Sequence, residues 1–142
     1  MNDCIFCKIE KNEIPSERVY EDDGYIAFLD INPISFGHTL VIPRGHHSNI
    51  DETPDGVLAG MIALAKKIGL AVVASLGADA YNIHINNGRA SGQLVDHVHL
   101  HIIPRTLDDG LKAWRGRGSY PEGEMSATAG KIKTELDKNL PR

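Results

Sequence analysis

The stretch Asp96-His97-Val98-His99-Leu100-His101-Ile102-Ile103-Pro104-Arg105 decides the fold. From His97 to Ile102 polar and apolar residues alternate without a fault. In an extended chain, successive side chains point to opposite faces. The pattern predicts a strand over 97–103, with Val98, Leu100 and Ile102 facing a core and His97, His99 and His101 on the opposite, exposed face. Imidazole is a nucleophile and a general acid or base near neutral pH. Three on one face read as a site. Spacing alone leaves phosphate chemistry and a catalytic zinc both open, because His-x-His on a strand can chelate a metal.

Working outward, Arg18–Glu21, Tyr25–Leu29, His38–Ile42 and Tyr81–Asn86 also read as strands. Asp22-Asp23-Gly24 is a hairpin turn, and loops run from Pro33 to Gly37 and from Gly88 to Gly92. Between the strand groups, Val57, Met61, Leu64, Ile68 and Val72 recur at helical spacing. Thr53 is placed to cap that helix, Pro54 to open it and Gly77 to end it. A second helix is expected from Pro121 to Lys138, with Met125, Ile132 and Leu136 on one side. The expectation is an α+β chain: a mostly antiparallel sheet of about five strands, one long helix and a C-terminal helix. All 142 residues read as one domain, with a core over 1–105 and a loop and helix over 106–142.

Composition narrows the classes. A net charge of −4 offers no broad basic surface for a nucleic acid. Two cysteines make no disulfide framework. Charged residues interrupt the N-terminus before any signal-like apolar run forms. The apolar run Ile68–Ala74 is far short of the ~20 residues of a membrane span. A cytoplasmic protein with no membrane partner is expected. Cys4-Ile-Phe-Cys7 has zinc-ligand spacing but fills only half of a tetrahedral site. A redox pair, or two small buried cysteines without metal, are the other readings. Arg115-Gly-Arg-Gly118, with Lys112 and Trp114, reads as a basic aromatic patch or as a loop or dimer contact. His84 is assigned no role.

His97-Val-His99-Leu-His101-Ile-Ile resembles the signature of the histidine-triad (HIT) superfamily of nucleotide hydrolases and transferases. Phe28-Leu-Asp-Ile-Asn-Pro33, Gly37-His-Thr-Leu-Val-Ile-Pro43, Asn86-Asn-Gly88 and Gly92-Gln93 resemble family stretches in the right order, so the likeness runs from Cys4 to Arg105. The resemblance implies a HIT-like fold, a homodimer through the long helix or the C-terminal segment, and cleavage at the α-phosphorus of a purine nucleotide conjugate. His99 would be the nucleophile, His101 a phosphate or leaving-group partner, and His38 a support for both. Asp30 would accept from ribose hydroxyls and Ile31 would pack on the base. Asn86, Gly92 and Gln93 would contact phosphates or the leaving group, with backbone N–H groups of 92–94 also donating. Many bacterial relatives complete the cysteine pair with two histidines, here His46 and His97, as a closed structural zinc site; His47 is the neighbouring candidate. A serine of the nucleotide-binding branch is replaced here by Leu94. The third histidine favours hydrolase chemistry, since transferase relatives usually carry glutamine there. The rival reading is a zinc-stabilised purine-nucleotide-binding protein with little catalysis.

Overall fold

Among the described residues five strands pair antiparallel throughout in the order β1-β2-β3-β5-β4. They are β1 (Arg18–Glu21), β2 (Tyr25–Leu29), β3 (Thr39–Pro43), β4 (Ala80–His84) and β5 (Leu100–Arg105). Among the described residues three α-helices accompany them: α1 (Ile5–Glu10), α2 (Asp55–Leu76) and α3 (Glu124–Asn139). The fold is therefore α+β. The computed structural model describes residues 3–112, 116 and 118–139. They fall into two units, Met1–Gly110 and Leu111–Arg142, a division five residues beyond the 105/106 boundary drawn within a single domain from sequence. In the second unit α3 keeps Met125, Ile132 and Leu136 exposed. Trp114, Arg115 and Arg117 of the basic aromatic stretch lie outside the described residues.

The sheet has two differently covered faces. On one, Ala27, Val41, Val98, Leu100 and Ile102 pack on Met61, Leu64, Ala65, Ile68 and Val72 of α2. On the other, Ile26, Phe28, Leu40 and Ile42 pack on Phe6 and Ile9 of α1. Each large side chain so buried contributes about 1.5–3 kcal/mol. The hairpin between β1 and β2 closes as expected, with Asp22 Oδ1 accepting from the N–H groups of Gly24 and Tyr25, each at 2.8 Å. Gly77 takes a left-handed φ of 68° and ends α2.

Several expectations need correction. The histidine strand starts at Leu100, because the Val98 N–H leaves the ladder to donate to His47 O at 2.7 Å. The alternation survives, with Val98 1% exposed on the α2 side. The imidazole face, however, is not exposed: α1 covers it, leaving His97 at 0% and His99 at 7%. β3 begins one residue after His38, and β4 ends at His84 instead of Asn86. Pro54, not Thr53, is the N-cap of α2, without a side-chain bond. Thr53 Oγ1 instead donates to Asn49 O at 2.6 Å, closing a 3-10 turn over Ile50–Glu52. α2 as a whole is long and apolar enough to cross a membrane by length and composition, which the short run 68–74 understated; here its buried stripe faces the sheet.

Two tyrosines approach α2 so closely that only glycine fits beneath them. Tyr25 lies over Gly60 and donates to Val57 O at 2.9 Å, and the Tyr81 ring lies on Gly69. A methyl at Gly69 would collide with three ring carbons. Gly69→Ala should therefore destabilise by about 1–3 kcal/mol, read as a lower urea midpoint. Gly56→Ala, in open space on the same helix, should leave the midpoint unchanged or raise it. Equal midpoints for both variants would contradict this packing.

Candidate active site and metal centre

Burial forces each imidazole to find a partner, and the partners fix the tautomers. The Ile34 N–H donates to His38 Nδ1 at 3.1 Å, so the ring proton of neutral His38 is on Nε2. That Nε2–H donates to His101 Nδ1 at 2.9 Å, which places the proton of neutral His101 on its own Nε2. His99 Nδ1–H donates to His97 O at 2.7 Å and keeps the lone pair of Nε2 available. His97 Nε2–H donates to Pro43 O at 3.1 Å and keeps the lone pair of Nδ1 available. Four rings thus become two Nε2–H donors, one ring with Nε2 available and one with Nδ1 available. Burial also lowers the pKa of His38 and His99. It pushes His101 down to about 4, with His99 and His38 adding to the effect. All are neutral at pH 7.

His38, His99 and His101 open on a cleft of about 500 Å³, together with Asp30, Ile31, Asn86, Gly92 and Leu94. Asp30 Oδ2 lies 3.7 Å from His38 Nε2, and its Oδ1 accepts from the Asn32 N–H at 2.8 Å. Gln93 is the exception. It is 3% exposed, and its amide accepts from Gly88 N–H and donates to Ser48 O and Val95 O. Both amide hydrogens are thus spent on holding the loop. The N–H groups of Gly92 and Gln93 are likewise taken, by Arg89 O and Gly88 O. Gly92 faces the cleft at a φ of 101°, a conformation that suits glycine. Leu94, next to the locked Gln93, stands 84% exposed at the cleft mouth.

Among the described residues two clusters have metal-like composition. Asp30, His38 and His101 gather within 4.8 Å, yet their wiring opposes a cation. A ligating histidine normally donates its other N–H to an acceptor; His38 Nδ1 instead faces a donor, the Ile34 N–H. This argues against a catalytic zinc built on that set. Cys4, Cys7, His46 and His97 are the converse. His97 Nδ1 lies 3.5 Å from Cys4 Sγ and 3.6 Å from Cys7 Sγ, and His46 Nδ1 lies 3.3 Å from Cys7 Sγ. Zinc bonds of about 2.3 Å to sulfur and 2.0 Å to nitrogen set tetrahedral S–N edges near ~3.5 Å. The donor set fits, and His97 has the required acceptor behind it in Pro43 O. Burial, followed by the Cys4 sulfur, pushes the Cys7 thiol up to about 11; a cation would replace that proton. His46 is in the set and His47 is not.

Sequence reasoning missed two features. Ile5, Phe6 and Ile9 of α1 line the cleft, in a segment from which the sequence singled out only the two cysteines. His84 pairs directly with His101 across β4 and β5, on the same sheet face. Strand register, which no spacing rule supplies, was the signal needed there.

The HIT domain family matches residues 11–107. An adenosine 5′-monophosphoramidase of Schizosaccharomyces pombe is 45% identical over 136 residues, 94% of this chain and 98% of that protein. An adenylylsulfatase of Arabidopsis thaliana is 46% identical over 112 residues, 79% of this chain and 57% of that protein. A zinc-bound histidine-triad protein from Mycobacterium smegmatis superposes with a TM-score of 0.76 at 37% identity, covering 98% of this chain and 99% of its own.

The lowered histidine pKa values carry a consequence for stability. Unfolded histidine takes its proton near pH ~6.5, whereas folded His101 resists protonation down to about 4. Between those values the unfolded chain binds more protons, so acidification favours unfolding. The melting temperature should fall as pH drops from 7 towards 5, and His101→Asn should show the shallower fall. A variant slope as steep as the wild type's would count against a buried neutral imidazole.

Proposed function

The chain belongs to the HIT domain family, and from that premise we propose that it is a cytoplasmic nucleotide hydrolase. It cleaves at the α-phosphorus of purine nucleoside conjugates, phosphoramidates or diadenosine polyphosphates, through a nucleotidyl-histidine intermediate on His99. The observation that carries this is the His99 ring, held by His97 O with its Nε2 lone pair available, in a cleft shared with Asp30 and Ile31. One relative is named for cleaving an adenosine phosphoramidate and another for cleaving an adenylyl sulfate. Their common half is the adenylyl group, which fits a site that reads the nucleotide and tolerates different leaving groups.

In this reading neutral His99 Nε2 attacks the α-phosphorus. The bond to the leaving group breaks, and that group takes up a proton from solvent water as it departs, matched by the proton the attacking water releases in the second step. The phosphorylated ring carries positive charge and keeps its Nδ1–H on His97 O. Water then attacks phosphorus, releasing the nucleoside monophosphate and restoring His99. Covalent catalysis divides one hard displacement into two, and positioning supplies much of the remainder. His101 serves as a neutral N–H donor to a phosphate oxygen. It cannot relay a proton from His38, because losing Nε2–H would leave His38 anionic with Nδ1 already accepting. Asp30 accepts from ribose and Ile31 packs on the base. Leu94 offers no hydroxyl to the leaving group.

Zinc is proposed at Cys4, Cys7, His46 and His97, where four protein ligands leave no open position and its contribution is structural. The homodimer belongs to the same reading, with Ile62 and Leu70 exposed on the outer face of α2 as its surface.

His99→Ala should lower kcat/KM for a fluorogenic adenosine phosphoramidate by about 10³-fold or more while retaining nucleoside monophosphate binding. Equal, near-background turnover by wild type and variant across phosphoramidates and dinucleotides would instead favour the nucleotide-binding protein. Native mass spectrometry of gently purified protein should show a dimer carrying two zinc ions. Less than about a tenth of an equivalent per chain would rule out the metal reading.

A further inference from the structure

The six-residue α1 carries two kinds of side chain. Cys7, with Cys4 as its N-cap, belongs to the metal cluster, while Ile5, Phe6 and Ile9 line the cleft. A helix under two turns long does not hold itself together in water. At its C-terminal end Arg18 secures it, donating to Ile9 O at 2.6 Å and Glu10 O at 3.3 Å. At its N-terminal end, among the described residues, the polar ties to the rest of the fold are the two sulfurs, reaching His97 and His46. Between these ends stands Phe6. Its ring meets His97 edge-on at 5.9 Å, His99 at 5.0 Å and Phe28 at 5.6 Å. The facing wall, Phe28 and Leu40, is built on β2 and β3 and needs no such anchor.

We propose that Cys4 and Cys7 are positioning residues for nucleoside binding: the metal they share with His46 and His97 seats α1, and with it the Ile5–Phe6–Ile9 wall of the cleft. This rests on the nucleotide and zinc readings above. Metal occupancy then sets the fraction of molecules with a complete cleft, and apparent affinity scales with that fraction. The His99 to His97 O bond is a local, two-residue contact and does not depend on α1, so the nucleophile's tautomer outlasts metal loss.

The test is calorimetric titration of adenosine monophosphate into zinc-loaded protein, chelator-treated protein and chelated protein resupplied with zinc. If the wall is seated a tenth of the time without metal, affinity falls about tenfold and returns in step with zinc occupancy. Amide exchange at Phe6–Ile9 should accelerate in the same samples, while exchange in β3 and β5 stays slow. Zinc-free protein that binds within twofold of the loaded form overturns the proposal. Failure of the loaded wild type to bind adenosine monophosphate refutes the nucleotide reading instead. If chelation unfolds the chain, zinc-loaded Phe6→Leu carries the test: it should keep its zinc and bind adenosine monophosphate more weakly, and unchanged affinity overturns the wall.

Discussion

Burying imidazoles is the constraint on which this structure depends. An imidazole removed from water must pair its ring nitrogens or lose stability. Among the described residues no buried side-chain polar atom lacks a partner. The backbone supplies three of the pairings, through the Ile34 N–H, Pro43 O and His97 O. Each commits one nitrogen of a ring and so decides what the other can do. From one residue type the chain obtains a ring with Nε2 available, a fixed donor pair and a ring with Nδ1 available. Chemically identical side chains are distinguished by which main-chain group stands behind them.

The same segment serves both faces of the sheet. Val98, Leu100 and Ile102 complete the layer under α2, while the intervening histidines meet α1 and the cleft. Any shift of register by one residue would exchange the two sets, burying imidazoles against α2 without partners. Tight packing against Tyr25 and Tyr81 at Gly60 and Gly69 holds α2, and so the register, in place. The cleft itself has no lysine or arginine among its described lining residues. In the proposed reaction, phosphate charge is met by the neutral His101 N–H rather than by a lysine or arginine.

Much of the fold was legible because its signals are local. The Asp22 turn depends on one side chain reaching two neighbouring amides, and the α2 stripe on a period of 3.6. α1 was not legible, since six residues carry too little periodicity and its seat lies about 90 positions away at His97. Gln93 illustrates the same limit. The family resemblance implied a contact with phosphates or the leaving group, but Gly88, Ser48 and Val95 claim its amide once the loop closes. Thr53 likewise looked like a cap until a 3-10 turn took its hydroxyl.

The sequence by itself determined which residues could do chemistry and on which side of a strand they would stand, because alternation is a property of the extended backbone. It also determined the ligand chemistry available to the cysteine pair. Only the tertiary structure decided that the histidine face is covered, that His46 and not His47 joins His97, and which nitrogen of each ring is available. Those outcomes depend on chain segments far apart in sequence, brought together by burial of apolar surface, and on backbone groups whose direction is set only after that burial.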